Sequence, residues 1–571
     1  MKKSGIGFWV VGFIFLVNIS MWDSSIIYRR VKIGMNLDPT IFRSYDVRGY
    51  AEGENANLTP EVAKEIAKAI GSVHFKEGDW VLVSGDGRTT TPALMAAIIE
   101  GFREVGVNVY VQEDPLPTGA SKWFLATRGL AGAIQVTGSH NPANMNGMKI
   151  RIGTEALYGN RLKALIPVIK AQEYRKPNSI GEVQEIDALT PYLKMLVNSF
   201  SFSEEFKQRV GIVVDPHYGI GGYLIPVLQE LGFEVIGIND QPDGTFPKGP
   251  ADPSKESALQ ELKEMISQLN EEGRSGKTWI GIALDGDADR CGFVDENGNA
   301  VSPERMLAVF YEDYIRALPE EKRQKIVLTV DVRASNAALG ILKKYGVKGV
   351  FVPTGYPTQE AFAGLIAPEI GKYIPIQIGG EASGHFFYST AMYDESGNLV
   401  PGGDKILVDD GLYAALKFLS ISDSQRMLPG ELMAQIPYSP TSNEIRFRGP
   451  ERAEEREEIV QMVRDIILER FGSELKPTLP VITVGGIKTQ SPESGLVEVS
   501  GVRAQFKDGS WLLFRSSGTE PKFTLKFEAP TTEILLRRMQ DLRTILKEIG
   551  FSDENLKFLD EEISRIRRGG R

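Results

Sequence analysis

Hydrophobic residues recur along the chain first with a helical period and then with a strand period. Val62, Ile66 and Ile70 share one face of a helix that starts at a Thr-Pro pair, and Gly71 is predicted to end it. The apolar run 80–83 then predicts a strand. The same alternation predicts helices at 91–105 and 335–345 and strands at 107–111, 130–136, 210–214, 233–236, 279–284, 326–330, 347–352 and 374–378. Strands that alternate with helices indicate parallel sheets with covered faces.

The last part of the chain has a different pattern. Two alternating runs, 502–506 and 511–514, flank an Asp-Gly pair and predict a hairpin. A run at 522–527 continues this sheet, and 531–549 predicts a helix. These elements together predict an α+β domain.

The chain is therefore predicted to fold into three tandem α/β domains with mixed or parallel sheets and a C-terminal α+β domain, arranged around a central cleft. Residues 436–442, rich in Pro and Ser, are the predicted linker before the last domain. The segment 451–471 carries Glu and Arg at helical spacing and is predicted to be a solvated helix face. The predicted domains are 35–185, 186–301, 302–435 and 436–571, after an N-terminal extension, 1–34.

The N-terminal extension has a composition of its own. Residues 5–22 are uncharged and mostly apolar and follow two lysines, which is the pattern of a marginal membrane span or a signal sequence. Met35 opens a second candidate start, so residues 1–34 fit a mis-assigned upstream extension equally well. Contact with a membrane is expected only if residues 5–22 form a real anchor.

Composition narrows the choice of compartment and partner. The 571 residues carry a net charge of -10 with no long basic run, which argues against nucleic acid as a partner. The single cysteine, Cys291, excludes an internal disulfide framework and predicts a reducing, cytoplasmic location. The four histidines are too few for a histidine-rich metal site. Composition gives no oligomeric state.

Ser139 lies in the first of four loops that follow predicted strands and carry reactive side chains. Its loop, 137–142, reads Thr-Gly-Ser-His-Asn-Pro. Ligands of α/β sheets bind beyond the carboxyl ends of strands, and the Asn-Pro pair favours a turn that exposes the serine. A serine reacts when a base, or a phosphoryl donor and a metal, activates it. An ordinary turn is the alternative.

Three aspartates form the second loop, directly after the strand 279–284. Asp285, Asp287 and Asp289 are predicted to fall on one side of an extended segment. Ligation by oxygen alone suits a hard cation, and Mg²⁺ used with phosphate is the prediction. The segment lacks the glutamate and flanking helices of an EF-hand calcium loop. Three neighbouring carboxylates repel one another without a cation, which disfavours a plain solvated turn.

The third and fourth loops carry hydrogen-bonding groups. Glu381 and Ser383 lie between glycines and His385 follows the second of them; the set suits sugar hydroxyls, and His385 can move a proton near neutral pH. The loop 515–521 holds an Arg, three hydroxyls and a Gly, which suit a phosphate cradle without the Lys of a Walker loop. A structural polar loop and a hydrophilic hairpin end are the respective alternatives.

Taken together and in this order, the four loops resemble the α-D-phosphohexomutase superfamily, over roughly residues 40–550 of this chain. The segments 45–49, 146–149 and 242–247 add secondary similarities. This chain departs from the family pattern at three positions. Gly138 stands where Ala is more common, Met145 replaces a common Tyr, and Thr354-Gly355-Tyr356 stands where many members have Thr-Gly-His. The last departure bears on hexose preference more than on the reaction.

The resemblance implies a phosphohexomutase that interconverts hexose 1-phosphate and hexose 6-phosphate, with mannose or glucose as the sugar. It implies a phosphoserine, a hexose 1,6-bisphosphate intermediate that also serves as activator, and one Mg²⁺ per chain. The four domains would carry, in order, the phosphoserine, the metal, the sugar-binding loop and the phosphate cradle. Small-molecule sugar phosphates would be the partners. Phosphoglucosamine mutase, a Mg²⁺-dependent sugar phosphatase that admits water, and a catalytically silent sensor remain alternatives.

The resemblance also assigns roles residue by residue. The metal would be held by Ser139, through its phosphate, and by Asp285, Asp287 and Asp289. Charge stabilisation and proton transfer would fall to Arg48, His140, Lys149, Arg290 and His385, around the catalytic Ser139. The substrate would contact Gly355, Tyr356, Glu381, Ser383, Arg515, Ser516, Ser517, Gly518 and Thr519.

Overall fold

The computed structural model describes residues 37–361, 378–388, 408–479, 481–483, 486–490, 495–499, 501–517 and 521–569. The apolar segment 5–22 and two residues of the predicted phosphate cradle, Gly518 and Thr519, lie outside these ranges. Within them, no helix is both long and apolar enough to cross a membrane.

The first sheet is mixed, with strand order β1-β5-β4-β2-β3-β7 and β6 paired to β5. Its strands β2, β3, β4 and β7 run parallel, and β5 is antiparallel to both of its neighbours on that path. The strands are β1 Val47–Tyr50, β2 Trp80–Gly85, β3 Asn108–Val111, β4 Gly132–Val136, β5 Met145–Ile152, β6 Glu155–Ala156 and β7 Val183–Glu185. The helices of this region are α1 Pro60–His74, α2 Thr91–Glu104, α3 Thr118–Arg128, α4 Gly159–Lys163, α5 Leu165–Ala171, α6 Leu189–Ser199 and α7 Glu204–Arg209.

The second sheet has the order β12-β11-β10-β8-β9, in which β8, β9 and β10 are parallel. The chain leaves β10, forms the aspartate loop and returns antiparallel as β11, with Leu284 paired to Cys291. The strands are β8 Val210–Asp215, β9 Glu234–Gly237, β10 Thr278–Leu284, β11 Cys291–Val294 and β12 Ala300–Val301, and the helices are α8 Leu224–Glu230 and α9 Gln260–Glu271.

The third region contains two sheets, β13-β14-β19-β20 and β15-β16-β17. Its strands are β13 Val327–Asp331, β14 Lys348–Val352, β15 Ile378–Gly380, β16 Phe386–Tyr388 and β17 Val408–Asp409, and its helices are α10 Pro303–Ala317, α11 Glu320–Arg323, α12 Asn336–Tyr345, α13 Gly411–Gln425 and α14 Pro429–Gln435. The last two strands of the larger sheet, β19 Val481–Thr483 and β20 Gly486–Gln490, come from much later in the chain, and β19 pairs in parallel with β14.

The C-terminal sheet is antiparallel throughout, with the order β18-β24-β23-β22-β21. Its strands are β18 Ile445–Arg448, β21 Leu496–Glu498, β22 Val502–Gln505, β23 Trp511–Ser516 and β24 Lys522–Glu528, and its helices are α15 Ala453–Phe471, α16 Thr532–Glu548 and α17 Asp553–Arg567. The predicted hairpin is confirmed, because β22 and β23 pair with Gln505 opposite Trp511, and Gly509 takes the left-handed φ of 87°. Three α/β units followed by an α+β unit confirm the predicted fold class.

Three details of the sequence-based assignment change. Gly71 does not end α1, which continues to His74; a Cβ on Gly71 would lie 2.6 Å from Val105 Cγ2, so the glycine serves close packing of the helix. The segment 451–471 is not a purely solvated helix, because Arg456 is buried. The strand predicted at 374–378 falls mostly outside the described residues, and β15 begins at Ile378.

Candidate active site

The loop that follows β4 is held in a fixed, high-energy conformation. Ser139 has a φ of 50°, in the left-handed region that a side chain with a Cβ rarely occupies. The buried guanidinium of Arg88 fixes the loop from inside, donating through Nη2 to the carbonyl oxygens of Ser139 and Asn141 at 2.7 Å each. Strain of this kind is typical of a residue positioned for function.

Gly138 leaves room for the Arg88 guanidinium. A Cβ at this position would lie 2.3 Å from both Arg88 Nε and Arg88 Cζ. The backbone N–H of Gly138 also donates to Asp86 Oδ2 at 3.1 Å, and Asp86 in turn pairs with Arg88. Gly138, where Ala is more common in the family, is therefore required by the packing of Arg88 in this chain.

We expect Gly138→Ala to lower the free energy of unfolding by about 1–3 kcal/mol, because the added methyl overpacks a buried guanidinium. Urea denaturation would measure it. Gly340→Ala is the matched control: Gly340 lies within α12 with open space where a Cβ would point, so Ala there stabilises by up to about 1 kcal/mol. A Gly138→Ala protein as stable as the parent chain would contradict this view of the loop.

The Ser139 hydroxyl meets the aspartate loop directly. Ser139 Oγ donates to Asp285 Oδ2 at 3.0 Å and lies 3.2 Å from His140 Nδ1, and the serine is only 3% exposed. Burial and the Arg290 cation hold the pKa of His140 well below its usual range. His140 is therefore a neutral ring beside the hydroxyl.

The aspartate loop is a turn rather than the extended segment expected from the spacing. Ala288 has a φ of 58°, and Asp285 Oδ1 accepts the backbone N–H groups of Asp289 and Arg290 at 3.0 and 3.1 Å. The turn nevertheless brings one oxygen of each of Asp285, Asp287 and Asp289 within 4.8 Å of the others. All three side chains are completely buried.

Lys149 is the main counter-charge of this cluster. Its Nζ donates to Asp287 Oδ2 at 2.6 Å and also contacts Asp289 Oδ2. Burial, Asp289 and Asp287 raise the pKa of Asp285 well above its usual range. Burial also acts to raise the pKa values of Asp287 and Asp289, but Lys149 holds both below their ordinary values. Arg290, whose Nε lies 3.7 Å from Asp285 Oδ2, is the second cation, so two cations face three buried carboxyl groups.

The donor set of the triad fits a hard divalent cation. It offers only carboxylate oxygens, which suit Mg²⁺ rather than a softer metal. Within the part of the chain that the structure describes, Asp287 Oδ1 and Asp289 Oδ1 are buried without a hydrogen-bond donor. Buried carboxylate oxygens without donors are unfavourable, and a cation would satisfy them.

The third loop is joined to the aspartate loop through backbone and side chains. Arg290 forms an isolated β-bridge with His385, and Arg290 Nε donates to His385 Nε2 at 3.0 Å. His385 Nδ1 lies 3.2 Å from Asp409 Oδ2 and 3.5 Å from Asp289 Oδ1. Burial and Arg290 hold the pKa of His385 well below its usual range.

Glu381 connects the third loop to the loop after β14. Its Oε1 accepts the backbone N–H of Gly355 at 2.9 Å, and its Oε2 accepts the Ser383 hydroxyl at 2.9 Å. Arg333 Nη2 lies 3.4 Å from the same Oε2. Burial and Asp331 raise the pKa of Glu381. Glu381, Ser383 and Gly355, which the sequence placed together, are therefore in contact.

Tyr356 is buried between cations where a histidine is common in the family. Lys122 Nζ lies 4.9 Å and Lys149 Nζ 5.7 Å from the centre of its ring, which are cation–π distances. Its hydroxyl donates to the Tyr45 carbonyl at 3.5 Å. The aromatic face of Tyr356 thus borders the proposed catalytic lysine rather than solvent.

The fourth loop is described only through Ser517. Ser516 Oγ accepts a hydrogen bond from Arg456 Nε at 3.1 Å, so α15 supports the loop from behind. Burial raises the pKa of Tyr45, and the charge of Arg515 opposes this shift. Against the effect of burial, Arg333 and Arg515 both act to hold the pKa values of Asp331 and Glu444 below their ordinary values. Among the described residues, the buried Arg515 Nε has no hydrogen-bond partner.

Several residues of the site carry a sequence signal that lies outside the four loops. The pattern Asp-x-Arg occurs four times, and at Asp46/Arg48, Asp86/Arg88 and Asp331/Arg333 the two residues form an ion pair, at 2.7, 3.2 and 2.9 Å. The fourth occurrence, at 541–543, lies in α16, where Arg543 pairs with other carboxylates. Arg48 Nη1 also donates to the Thr137 carbonyl at 2.6 Å. Lys122, Asp409 and Arg456 reach the site without any local pattern that distinguishes them.

A buried serine beside a carboxylate triad that could hold a cation, set at the carboxyl ends of α/β strands, is typical of a phosphotransferase. Models of the phosphoglucomutase/phosphomannomutase family match in succession: alpha/beta/alpha domain I over residues 39–167, domain II over 190–298 and domain III over 302–438.

Individual relatives agree. A phosphoglucomutase of Neisseria meningitidis serogroup B is 30% identical over 513 residues, which cover 89% of this chain and 96% of that protein. A phosphomannomutase/phosphoglucomutase of Pseudomonas syringae pv. tomato is 29% identical over 517 residues, 90% and 96% of the two chains. The crystal structure of a phosphoglucomutase/phosphomannomutase family protein from Burkholderia thailandensis has a TM-score of 0.71 and 26% identity, and the match covers 90% and 98% of the two chains. The chain belongs to the phosphoglucomutase/phosphomannomutase family of the α-D-phosphohexomutase superfamily and is a phosphohexomutase.

Proposed function

We propose that this phosphohexomutase interconverts the 1- and 6-phosphates of mannose or glucose through a phosphorylated Ser139 and a hexose 1,6-bisphosphate. The observation that carries the proposal is Ser139 itself: its backbone is strained, its side chain is buried, and its hydroxyl lies 3.0 Å from Asp285 in the carboxylate triad. A phosphoryl group on this oxygen would lie next to the triad and to the cations Arg48 and Lys149.

Ser139, Asp285, Asp287 and Asp289 would hold one Mg²⁺. When bound, the cation would offset the negative charge that develops on the transferring phosphoryl group. The first three domains of the proposed division, 35–185, 186–301 and 302–435, supply the serine, the triad and the sugar-binding loop. Residues 436–571 supply the cradle for the phosphate that does not react, through Arg515 and its neighbours Ser516 to Thr519.

The chain's own residues would perform the transfer in a simple order. His385 Nε2 takes the proton of the free sugar hydroxyl after the substrate displaces Arg290 from that nitrogen. The hydroxyl oxygen forms a bond to phosphorus as the bond from phosphorus to Ser139 Oγ breaks, and the electron pair stays on Oγ. Arg48, Lys149 and Arg290 balance the charge on the phosphoryl oxygens. The bisphosphate then turns over. Ser139 Oγ forms a bond to the other phosphorus, the bond from that phosphorus to its sugar oxygen breaks, and His385 returns the proton to this oxygen.

Burial favours a mutase over the phosphatase alternative. Ser139 is 3% exposed and Asp285 is fully buried, so water has little access to the phosphoryl group. The site must open to admit a sugar phosphate, and movement of the last domain would serve this purpose. The single buried cysteine fits the proposed cytoplasmic location.

A coupled assay tests the substrate and the reaction class together. Mannose, glucose and glucosamine 1-phosphates would be compared with catalytic hexose 1,6-bisphosphate added as activator, and inorganic phosphate release would be followed in parallel. We expect 6-phosphate formation from mannose or glucose with far slower phosphate release. A preference for glucosamine 1-phosphate would replace the proposed sugar, and release of phosphate as the main product would replace the mutase by a phosphatase.

A further inference from the structure

One face of α3 reaches the candidate active site at two points. Thr118 opens the helix, and its Oγ1 donates to Asp287 Oδ2 at 2.5 Å. Lys122 follows one turn later on the same face, contacts Asp409 Oδ1 and lies 3.0 Å from Glu360 Oε1. Helix α3, which belongs to the region of the first sheet, therefore contacts both the aspartate loop and Asp409.

Asp409 is a fully buried carboxylate that none of the four loops contains. It lies in β17, opposite Phe387 in β16, so strand pairing holds it beside the segment that follows His385. Among the described residues its two oxygens have no well-directed hydrogen bond, and its close contacts are the cation of Lys122 and His385 Nδ1 at 3.2 Å. A buried carboxylate is retained at a cost unless such partners compensate it.

The contact with Arg290 determines which nitrogen of His385 carries the proton. Arg290 Nε is always protonated and can only donate, so His385 Nε2, 3.0 Å away, must accept. An imidazole whose Nε2 accepts is neutral and carries its proton on Nδ1. Nδ1 lies 3.2 Å from Asp409 Oδ2 and 3.5 Å from Asp289 Oδ1, and among the described residues it has no other acceptor and no well-directed hydrogen bond.

We propose that Asp409 is a positioning residue that keeps the proton of His385 on Nδ1 once the substrate has displaced Arg290, so that Nε2 presents its lone pair to the sugar hydroxyl, with Lys122 as the charge partner of Asp409. The inference rests on the proposed function, in which His385 takes the hydroxyl proton. When Nε2 gains that proton, Asp409 also stabilises the imidazolium through Nδ1–H.

Nitrogen NMR of selectively labelled histidine tests the tautomer without any substrate. The chain has only four histidines, so a His385→Gln variant suffices to assign the His385 ring. In the unaltered protein we expect Nδ1 to be protonated and Nε2 not. In Arg290→Met, where no arginine donates to Nε2, we expect Asp409 to keep the proton on Nδ1, and in the double variant Arg290→Met/Asp409→Asn we expect the proton to move to Nε2. An unaltered protein with Nε2–H overturns the proposal whether or not the variants fold, and so does a double variant that still shows Nδ1–H.

Steady-state kinetics test the effect of Asp409 on turnover, with the neighbouring carboxylate Asp410 for comparison. We expect Asp409→Asn to lower kcat about 10- to 100-fold with little change in KM, as the loss of an orienting carboxylate does. Asp410→Asn is the matched control: Asp410 is also buried, but it caps α13 and accepts the Tyr192 hydroxyl. We expect it to lower the thermal unfolding midpoint and leave kcat within about twofold. Equal kcat values for the two variants would overturn the proposal.

Two further variants separate this inference from the proposed function. Lys122→Met should lower kcat less than Asp409→Asn, because the carboxylate remains; a loss of kcat as large as that of Asp409→Asn would overturn the stated division of roles. If His385→Gln kept full kcat while Ser139→Ala was inactive, the roles of His385 and Asp409 would fail and the phosphoserine scheme would stand. Full activity of Ser139→Ala would instead overturn the proposed function.

Discussion

Replacement of Ser139 by alanine is expected to abolish mutase turnover, with a loss in kcat on the order of 10⁴-fold or more. The proposed reaction passes every phosphoryl group through this one oxygen, which donates to Asp285 in the carboxylate triad. The loss should appear in kcat for both directions of the interconversion, because the same oxygen serves the 1-phosphate and the 6-phosphate.

Ser84→Ala is the matched control for this prediction. Ser84 is a fully buried serine of the same sheet, and its Oγ donates to Gln135 Oε1 at 2.6 Å, away from the triad. Loss of this hydrogen bond is expected to lower stability by about 1 kcal/mol and to leave kcat unchanged. A Ser139→Ala enzyme that retained a tenth of the parent activity would be incompatible with a phosphoserine carrier.

The second large effect concerns Asp285. We expect Asp285→Asn to lower kcat on the order of 10²–10³-fold, because the amide removes one charged ligand of the cation beside the phosphoryl group. The same change should not destabilise the cation-free protein, since it removes one of three mutually repelling buried carboxylates and keeps an oxygen for the N–H groups of Asp289 and Arg290. Asp285→Asn would thus lose activity, while the stability of the cation-free protein would rise or stay the same.

Thermal unfolding with and without Mg²⁺ measures this separation. The parent chain should unfold at a higher temperature with Mg²⁺ present, because a cation that binds only the folded state stabilises it, and Asp285→Asn should lose most of this shift. Asp215→Asn is the control, a buried aspartate at the end of the neighbouring strand β8. If Asp285→Asn showed the parent's Mg²⁺ shift, the triad would not be the cation site.

The sequence alone was enough to predict the parts of the site that depend on a single loop at the end of a single strand. Ser139, the three aspartates, Glu381 and His385 were found because α/β sheets gather their functional loops at the carboxyl ends of strands. Their mutual contacts, such as Ser139 with Asp285 and Arg290 with His385, then follow from the packing of successive units.

Contacts between segments that are far apart in the chain could not be predicted from the sequence. Lys122 reaches Asp409 from a helix that looks like any amphipathic helix, and Arg456 reaches Ser516 from a run that reads as solvated. Periodicity describes one element at a time and does not state which element packs against which face. The turn at Ala288 was not predicted for a related reason. The backbone N–H groups of Asp289 and Arg290 donate hydrogen bonds to Asp285 only once the loop is closed.

The most direct test of the central claim is to follow one phosphoryl group. The protein would be treated with hexose 1,6-bisphosphate carrying labelled phosphate, digested and sequenced by mass spectrometry, and then chased with unlabelled hexose 1-phosphate. The account predicts label on Ser139 alone and its complete transfer to hexose bisphosphate during the chase. Label on another residue, or turnover of hexose phosphate while Ser139 stays unlabelled, would contradict it.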